Sequence, residues 1–171
     1  MQLLKIIKHS DLFAEHHSES QDVKIRTAAR AVVFDDEKNI ALLEVTKNHY
    51  HKLPGGGVEE GENLSQALAR EVLEEIGCQI AVTGEVGKII EHRDEWDLRQ
   101  ESYCYLAELV GKKGVPSFTE KEISNGFQIQ WLSLDKAIET LKKDAPDGYE
   151  GKFIKVRDLA FLEEVKTALG I

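Results

Sequence analysis

The sequence predicts an α/β fold in a single globular unit, and three observations carry that expectation. Short apolar and β-branched runs recur between turn-rich stretches, which is the pattern of strands. One segment, 64–76, combines helical periodicity with a start and a stop signal, and two further helical segments follow near the end of the chain. The 171 residues, 42% hydrophobic, match the roughly 100–200 residues expected of one domain and suffice for a real core. There is no internal repeat, low-complexity tract or linker long enough to divide the chain.

Residues 1–24 are mixed in character and read as an N-terminal extension packed on the core. Within it, Glu15-His16-His17-Ser18-Glu19-Ser20 reads as a solvated connection rather than a metal site. The main domain is expected over 25–145. Thr27–Phe34 (TAARAVVF) and Ile40–Val45 (IALLEV) flank the turn-rich Asp35-Asp36-Glu37-Lys38-Asn39, which predicts a hairpin. Leu53-Pro54-Gly55-Gly56-Gly57 forbids regular structure, and Asn63 with Gln66 three residues on looks like a helix cap. A helix should then run from Leu64 to Ile76 and stop at Gly77. Gln79–His92 and Gln100–Val110, separated by the charged 93–97, predict a second hairpin. Residues 111–126 read as a mobile loop and Phe127–Leu132 as a last strand. Helices are expected over Leu134–Lys143 and Lys155–Leu169, the latter in a C-terminal segment, 146–171, of the same unit. Its Leu159, Leu162, Val165 and Leu169 fit core packing or a homodimer contact, while Tyr149 belongs to a lid or a simple connection.

With 22 Lys and Arg against 31 Asp and Glu, the net charge of −9 argues against a long surface tracking duplex nucleic acid, though a local basic pocket is compatible with it. Cys78 and Cys104 have neither metal-ligand spacing nor the density of a disulfide scaffold, so reduced, buried thiols are expected. The opening MQLLKIIKHSDLF is broken by charges and lacks a cleavage site, and no stretch approaches the ~18 apolar residues of a membrane span. A soluble, cytoplasmic protein with no membrane partner is the expectation.

The chemistry concentrates between Gly56 and Gly77. Glu71, Glu74 and Glu75 share an arc of about 100° on the predicted helix, beside an apolar stripe of Leu68, Ala69, Val72, Leu73 and Ile76. Three carboxylates in the last turns oppose the helix dipole, at about 0.3–1 kcal/mol each, and repel one another. They make sense as a solvated face with Arg70 pairing Glu74, or as ligands whose repulsion a cation reverses. Oxygen-only ligation selects Mg²⁺ or Mn²⁺. The preceding glycines can turn backbone carbonyls toward the same place.

Counted from Gly56, the order is Gly, five residues, Glu62, seven residues, then Arg70-Glu71-Val72-x-Glu74-Glu75-x-Gly77-Cys78. This resembles the Nudix box of the Nudix hydrolases, MutT-like enzymes, with every fixed position filled. Cys78 alone departs softly, standing where an aliphatic residue is usual. The resemblance runs from Thr27 to about Asp135. It implies an α/β/α sandwich with a mixed β-sheet, and a Mg²⁺-dependent (or Mn²⁺-dependent) pyrophosphohydrolase. The implied substrate is a small nucleotide: a nucleoside di- or triphosphate or a derivative, with oxidised deoxynucleoside triphosphates named first. By the same resemblance Glu71, Glu74, Glu75 and the Gly56 carbonyl hold metal, with Glu75 and Glu71 the preferred ligands, Arg70 and Glu62 orient the carboxylates, and the general base is a box glutamate or one in the later loop. Glu120 and Glu122 are the loop candidates, Glu122 preferred because Ile123 offers an anchor. Lys52, Arg30, Arg99 and Tyr103 are candidate substrate contacts, with Arg26 and Arg93 as further cations. Two rival readings are a non-catalytic sensor of a ligand such as ADP-ribose and a pyrophosphohydrolase of RNA 5′ ends.

Overall fold

A computed structural model describes residues 1–15 and 22–170. It contains strands β1 (Leu3–Ile7), β2 (Lys24–Phe34), β3 (Asn39–Val45), β4 (Tyr50–Lys52), β5 (Gly55–Gly57), β6 (Gln79–Arg93), β7 (Leu98–Val110) and β8 (Phe127–Ser133). The helices are α1 (Leu64–Ile76), α2 (Glu120–Ser124), α3 (Leu134–Lys143) and α4 (Tyr149–Leu169). The expected connection at 15–20 lies almost wholly outside the described residues.

The strands form one mixed sheet in the order β1-β6-β7-β2-β3-β4, with β5 added to β2 and β8 to β3. Pairing is parallel for β1/β6 and β2/β7 and antiparallel elsewhere. Side-chain alternation sends neighbouring residues to opposite faces. Ala41 and Leu43 meet α1 through Ala67, Leu68, Val72 and Ile76. Ile40 and Leu42 meet α3 and α4 through Ala137, Leu141, Phe153, Phe161 and Leu162. The result is helix, sheet, helix: the α/β/α sandwich that the resemblance implied.

Four expectations need correction. Gly55–Gly57, in a run read as irregular, forms β5 against Ala28–Arg30 of β2, where the β2 backbone leaves no room for a side chain on Gly55. The segments around Asp35–Asn39 meet as a hairpin only at Phe34 and Ile40. Beyond that point β2 pairs in parallel with β7 along its whole length, and β3 is taken by β4 and β8. The expected loop at 111–126 contains α2, closed by a reciprocal cap between Thr119 and Glu122. The last helix starts at Tyr149 rather than Lys155, so Tyr149 occupies a helical first turn. There its hydroxyl meets His9 Nδ1 at 3.0 Å and accepts from the Glu95 N–H at 3.3 Å. Of the expected apolar stripe of α4, Leu162 and Val165 are buried in the core and Leu159 packs against it, whereas Leu169 is exposed. Both cysteines are free and buried, and among the described residues no helix is long and apolar enough to cross a membrane.

Helix α1 follows its sequence signals closely. Asn63 Oδ1 accepts from the Gln66 N–H, and Gln66 Oε1 accepts from the Asn63 N–H, both at 2.9 Å. At the other end Gly77 takes φ +67° and its N–H reaches the Leu73 carbonyl, the left-handed stop that glycine adopts without a steric penalty.

Candidate active site

A cleft of about 250 Å³ opens where β5 and α1 meet the edge of β2. Glu71 and Glu75 come from α1, Gly55–Gly57 from β5, Arg26 and Arg30 from β2, and Tyr50 and Lys52 from β4. Thr119, Lys121, Glu122, Asn125 and Phe127 form one wall, and Glu150 and Ile154 of α4 another.

Glu75 is the buried carboxylate of this site, only 1% exposed. Its Oε2 accepts from the Gly55 N–H at 2.7 Å and its Oε1 from Lys52 Nζ at 2.5 Å. Burial pushes its pKa up, and Lys52 and the Gly55 amide pull against that shift without cancelling it. Glu71 lies against Gly56, where a side chain would collide with its carboxylate. Arg70 fixes it by donating from Nη1 to Glu71 Oε1 at 2.8 Å. The same guanidinium forks onto Glu62, Nε to Oε1 at 2.8 Å and Nη2 to Oε2 at 2.9 Å, and donates to the Gly57 carbonyl at 3.0 Å. The hydrogen bonds from Arg70 hold the Glu62 carboxyl down to about 2. Through these bonds Arg70 ties Glu62, Glu71 and α1 to the glycine strand.

The three glutamates on one arc therefore part company. Glu71 and Glu75 line the cleft, whereas the Glu74 side chain is 44% exposed, 3.7 Å from Arg70, and outside the lining. Among the described residues no group of three or more His, Cys, Asp or Glu is already gathered as a cation cage. One residue of spacing separates a buried carboxylate from a half-exposed one because the helix turns about 100° per residue.

Of the loop candidates, Glu122 lines the cleft and Glu120 does not. The anchor of Glu122 is not Ile123, which is 65% exposed. It is the α2 cap, in which Glu122 Oε2 accepts from the Thr119 N–H at 2.8 Å. Lys52 and Arg30 are in the cleft as expected, and Arg30 Nη1 donates to the Gly55 carbonyl at 2.8 Å. Arg99 and Tyr103 are not. In register with Ile25 and Ala29, they share the opposite sheet face from Arg26 and Arg30. There Arg99 Nη2 pairs with Glu101 at 2.7 Å and Tyr103 donates to the same carboxylate at 3.2 Å. Arg93 is buried and paired with Glu91 and Glu150.

Sequence reasoning missed Glu150 and Lys121 as cleft residues. The first hides in a segment read as a lid or a simple connection, the second in a run of loop charges; neither carries a local signal.

The NUDIX domain model matches residues 24–153 of the chain. The chain belongs to the NUDIX family. Of its box residues Gly56, Glu71 and Glu75 line the cleft, and its reaction class is that of a Nudix hydrolase acting on phosphoanhydrides. An RNA pyrophosphohydrolase of Wolbachia pipientis subsp. Culex pipiens (strain wPip) is 27% identical over 146 residues, covering 82% of this chain and 80% of that protein. A putative 8-oxo-dGTP diphosphatase of Bacillus subtilis (strain 168) is 27% identical over 152 residues, covering 83% of this chain and 96% of that protein. In fold, a Nudix hydrolase structure from Nitrosomonas europaea superposes with a TM-score of 0.63 at 19% identity, covering 85% of this chain and 90% of that one.

Proposed function

We propose that this Nudix hydrolase is a Mg²⁺-dependent pyrophosphohydrolase of a small nucleotide, a nucleoside triphosphate or related derivative, with oxidised deoxynucleoside triphosphates the first candidates. The observation that carries the reading is the floor of the cleft: a buried Glu75 carboxylate next to Glu71 and the glycine strand, under four cationic side chains, Arg26, Arg30, Lys52 and Lys121. A hard divalent cation suits the donors, which are all oxygen, and the Lys52 ammonium on Glu75 already stands in as a positive charge at this point. Glu71, Glu75 and the Gly56 carbonyl would hold the ion, with Glu74 reaching in from the rim. Bound there, Mg²⁺ supplies neutralisation of phosphate oxygens and a bound water of lowered pKa.

The chain's own groups do the rest. Arg26, Arg30, Lys52 and Lys121 offset the negative charge that otherwise repels an attacking hydroxide. Arg70 keeps the Glu71 carboxylate in one rotamer. Glu122, held by the α2 cap at the cleft wall, is the proposed acceptor of the proton from the attacking water, and cleavage of the anhydride leaves the two halves of the substrate each with a terminal phosphate.

RNA 5′ ends are a second reading, favoured by the same cations in an open cleft and by the name of the Wolbachia relative. Phosphate and pyrophosphate release with Mg²⁺ over normal and oxidised triphosphates, dinucleoside polyphosphates, sugar nucleotides and a 5′-triphosphorylated RNA tests both. One triphosphate turned over well above the rest supports the first reading. Turnover of the RNA alone overturns it in favour of the second, and binding of nucleotide without turnover of any compound overturns both.

A further inference from the structure

Beneath the cleft, between the sheet and α4, lies a chain of fully buried charges. Arg157 and Asp158 of α4 are both 0% exposed and five residues or less beyond the family match, which ends at 153. Arg157 Nε donates to Asp158 Oδ1 at 2.6 Å and its Nη2 to Oδ2 at 3.1 Å. Arg157 Nη1 also lies 3.6 Å from Glu91, which Arg93 binds in turn. Buried ion pairs of this kind often cost as much in desolvation as they return, so stability alone is a weak reason to keep one.

Asp158 also reaches the backbone beside the cleft. Its Oδ2 accepts from the backbone N–H of Leu53 at 2.9 Å, across 105 residues of sequence and in full burial. Leu53 is followed by Pro54, whose ring fixes φ near −65°, and then by Gly55, whose N–H holds Glu75. The segment is pinned further by Pro54 O accepting from the Ala31 N–H at 3.1 Å and Gly55 O accepting from Arg30 at 2.8 Å. Gly55 itself sits at φ +128°, with the β2 backbone where a side chain would go. A short, stiff segment thus joins the Asp158 carboxylate to the amide that aims Glu75.

We propose that Asp158 is a positioning residue for the metal site: by holding the Leu53 amide it sets where the Gly55 amide, and through it the Glu75 carboxylate, stand. Helix α4 is then part of the metal centre's support and not only a cover for the sheet. The proposal rests on the reading of Glu75 as a metal ligand.

The test is Mn²⁺ binding to the metal-free protein by titration calorimetry, comparing wild type, Asp158→Asn, Glu91→Gln and Glu75→Gln. Glu91→Gln breaks the same buried network but touches no backbone of the 53–55 segment, so it reports generic loosening. Supporting residues of metal ligands typically cost about 10–100-fold in affinity when changed. Asp158→Asn is expected to weaken Mn²⁺ binding about 10-fold or more, with Glu91→Gln within about twofold of wild type. Wild-type affinity in Asp158→Asn, or equal weakening in both variants, overturns the proposal while leaving the metal site intact. Wild-type affinity in Glu75→Gln overturns the site reading and this proposal with it. Should Asp158→Asn fold poorly, hydrogen exchange on the wild type decides: the Leu53 amide should exchange as slowly as core strand amides, and fast exchange refutes the tether.

Discussion

Replacing Gly56 by alanine should disable the site while leaving the fold intact. A Cβ at Gly56 would fall 2.5 Å from Glu71 Oε2, with Oε1 and Cδ closer still, whereas ordinary contact begins at 3.4 Å. The carboxylate must retreat by about 1 Å, and misplacement on that scale costs about 10²-fold in rate. It has little freedom to compensate, because Arg70 grips Glu71 and Glu62 together. Gly56 has no left-handed backbone angle to strain, and what moves is the far end of a side chain, so stability should change little. Steady-state kinetics on the preferred substrate with saturating Mg²⁺, beside a thermal melt, read both effects. A kcat within about threefold of wild type in a folded Gly56→Ala protein would refute the idea that the glycine is there to seat Glu71.

Two further outcomes follow from the electrostatics. Lys52→Met leaves the Glu75 carboxylate buried without its ammonium, a break that typically costs about 3–5 kcal/mol. The melting temperature without metal should drop by about 6 °C or more, and added Mg²⁺ should restore most of the loss; a melt unchanged by the substitution would contradict the pairing. Glu62, held down to about 2 by Arg70, has a folded pKa below its unfolded value. Its contribution to stability is therefore complete above about pH 4.5 and lost as pH falls toward about 2. Urea melts across that window should show a shallower loss in Glu62→Gln than in wild type, and parallel curves would refute the coupling.

What was legible in the sequence was local. The limits of α1 follow from Asn63, Gln66 and Gly77, residues whose work is done within one turn of the chain. The box spacing brings Glu71 and Gly56 together because helix and strand are adjacent in sequence as well as in space. What escaped was set at a distance. The hairpin around Asp36 reads correctly for its turn, but the partner of β2 is β7, some seventy residues later, in a pairing no local pattern encodes. The start of α4 was obscured by Gly148 and Gly151. The latter has no room for a side chain beside Tyr50 and Pro146, so its glycine answers to packing and not to a break in the helix. Arg157 and Asp158 look like ordinary solvent-facing charges in the sequence, and only their burial against Glu91 and the Leu53 amide reveals otherwise. Glu74 and Glu75 are indistinguishable by spacing; the Gly55 amide and Lys52 separate them.

That separation supplies the most direct test of the account. Glu75→Gln and Glu74→Gln should be compared for kcat with Mg²⁺ on the preferred substrate, with thermal melts confirming that both fold. Loss of the buried ligand should exceed the roughly 10–100-fold effect of a merely supporting residue, so Glu75→Gln should fall by more than about 100-fold while Glu74→Gln loses much less. Equal losses in the two variants, or an active Glu75→Gln protein, would contradict the assignment of the buried carboxylate as the centre of the chemistry.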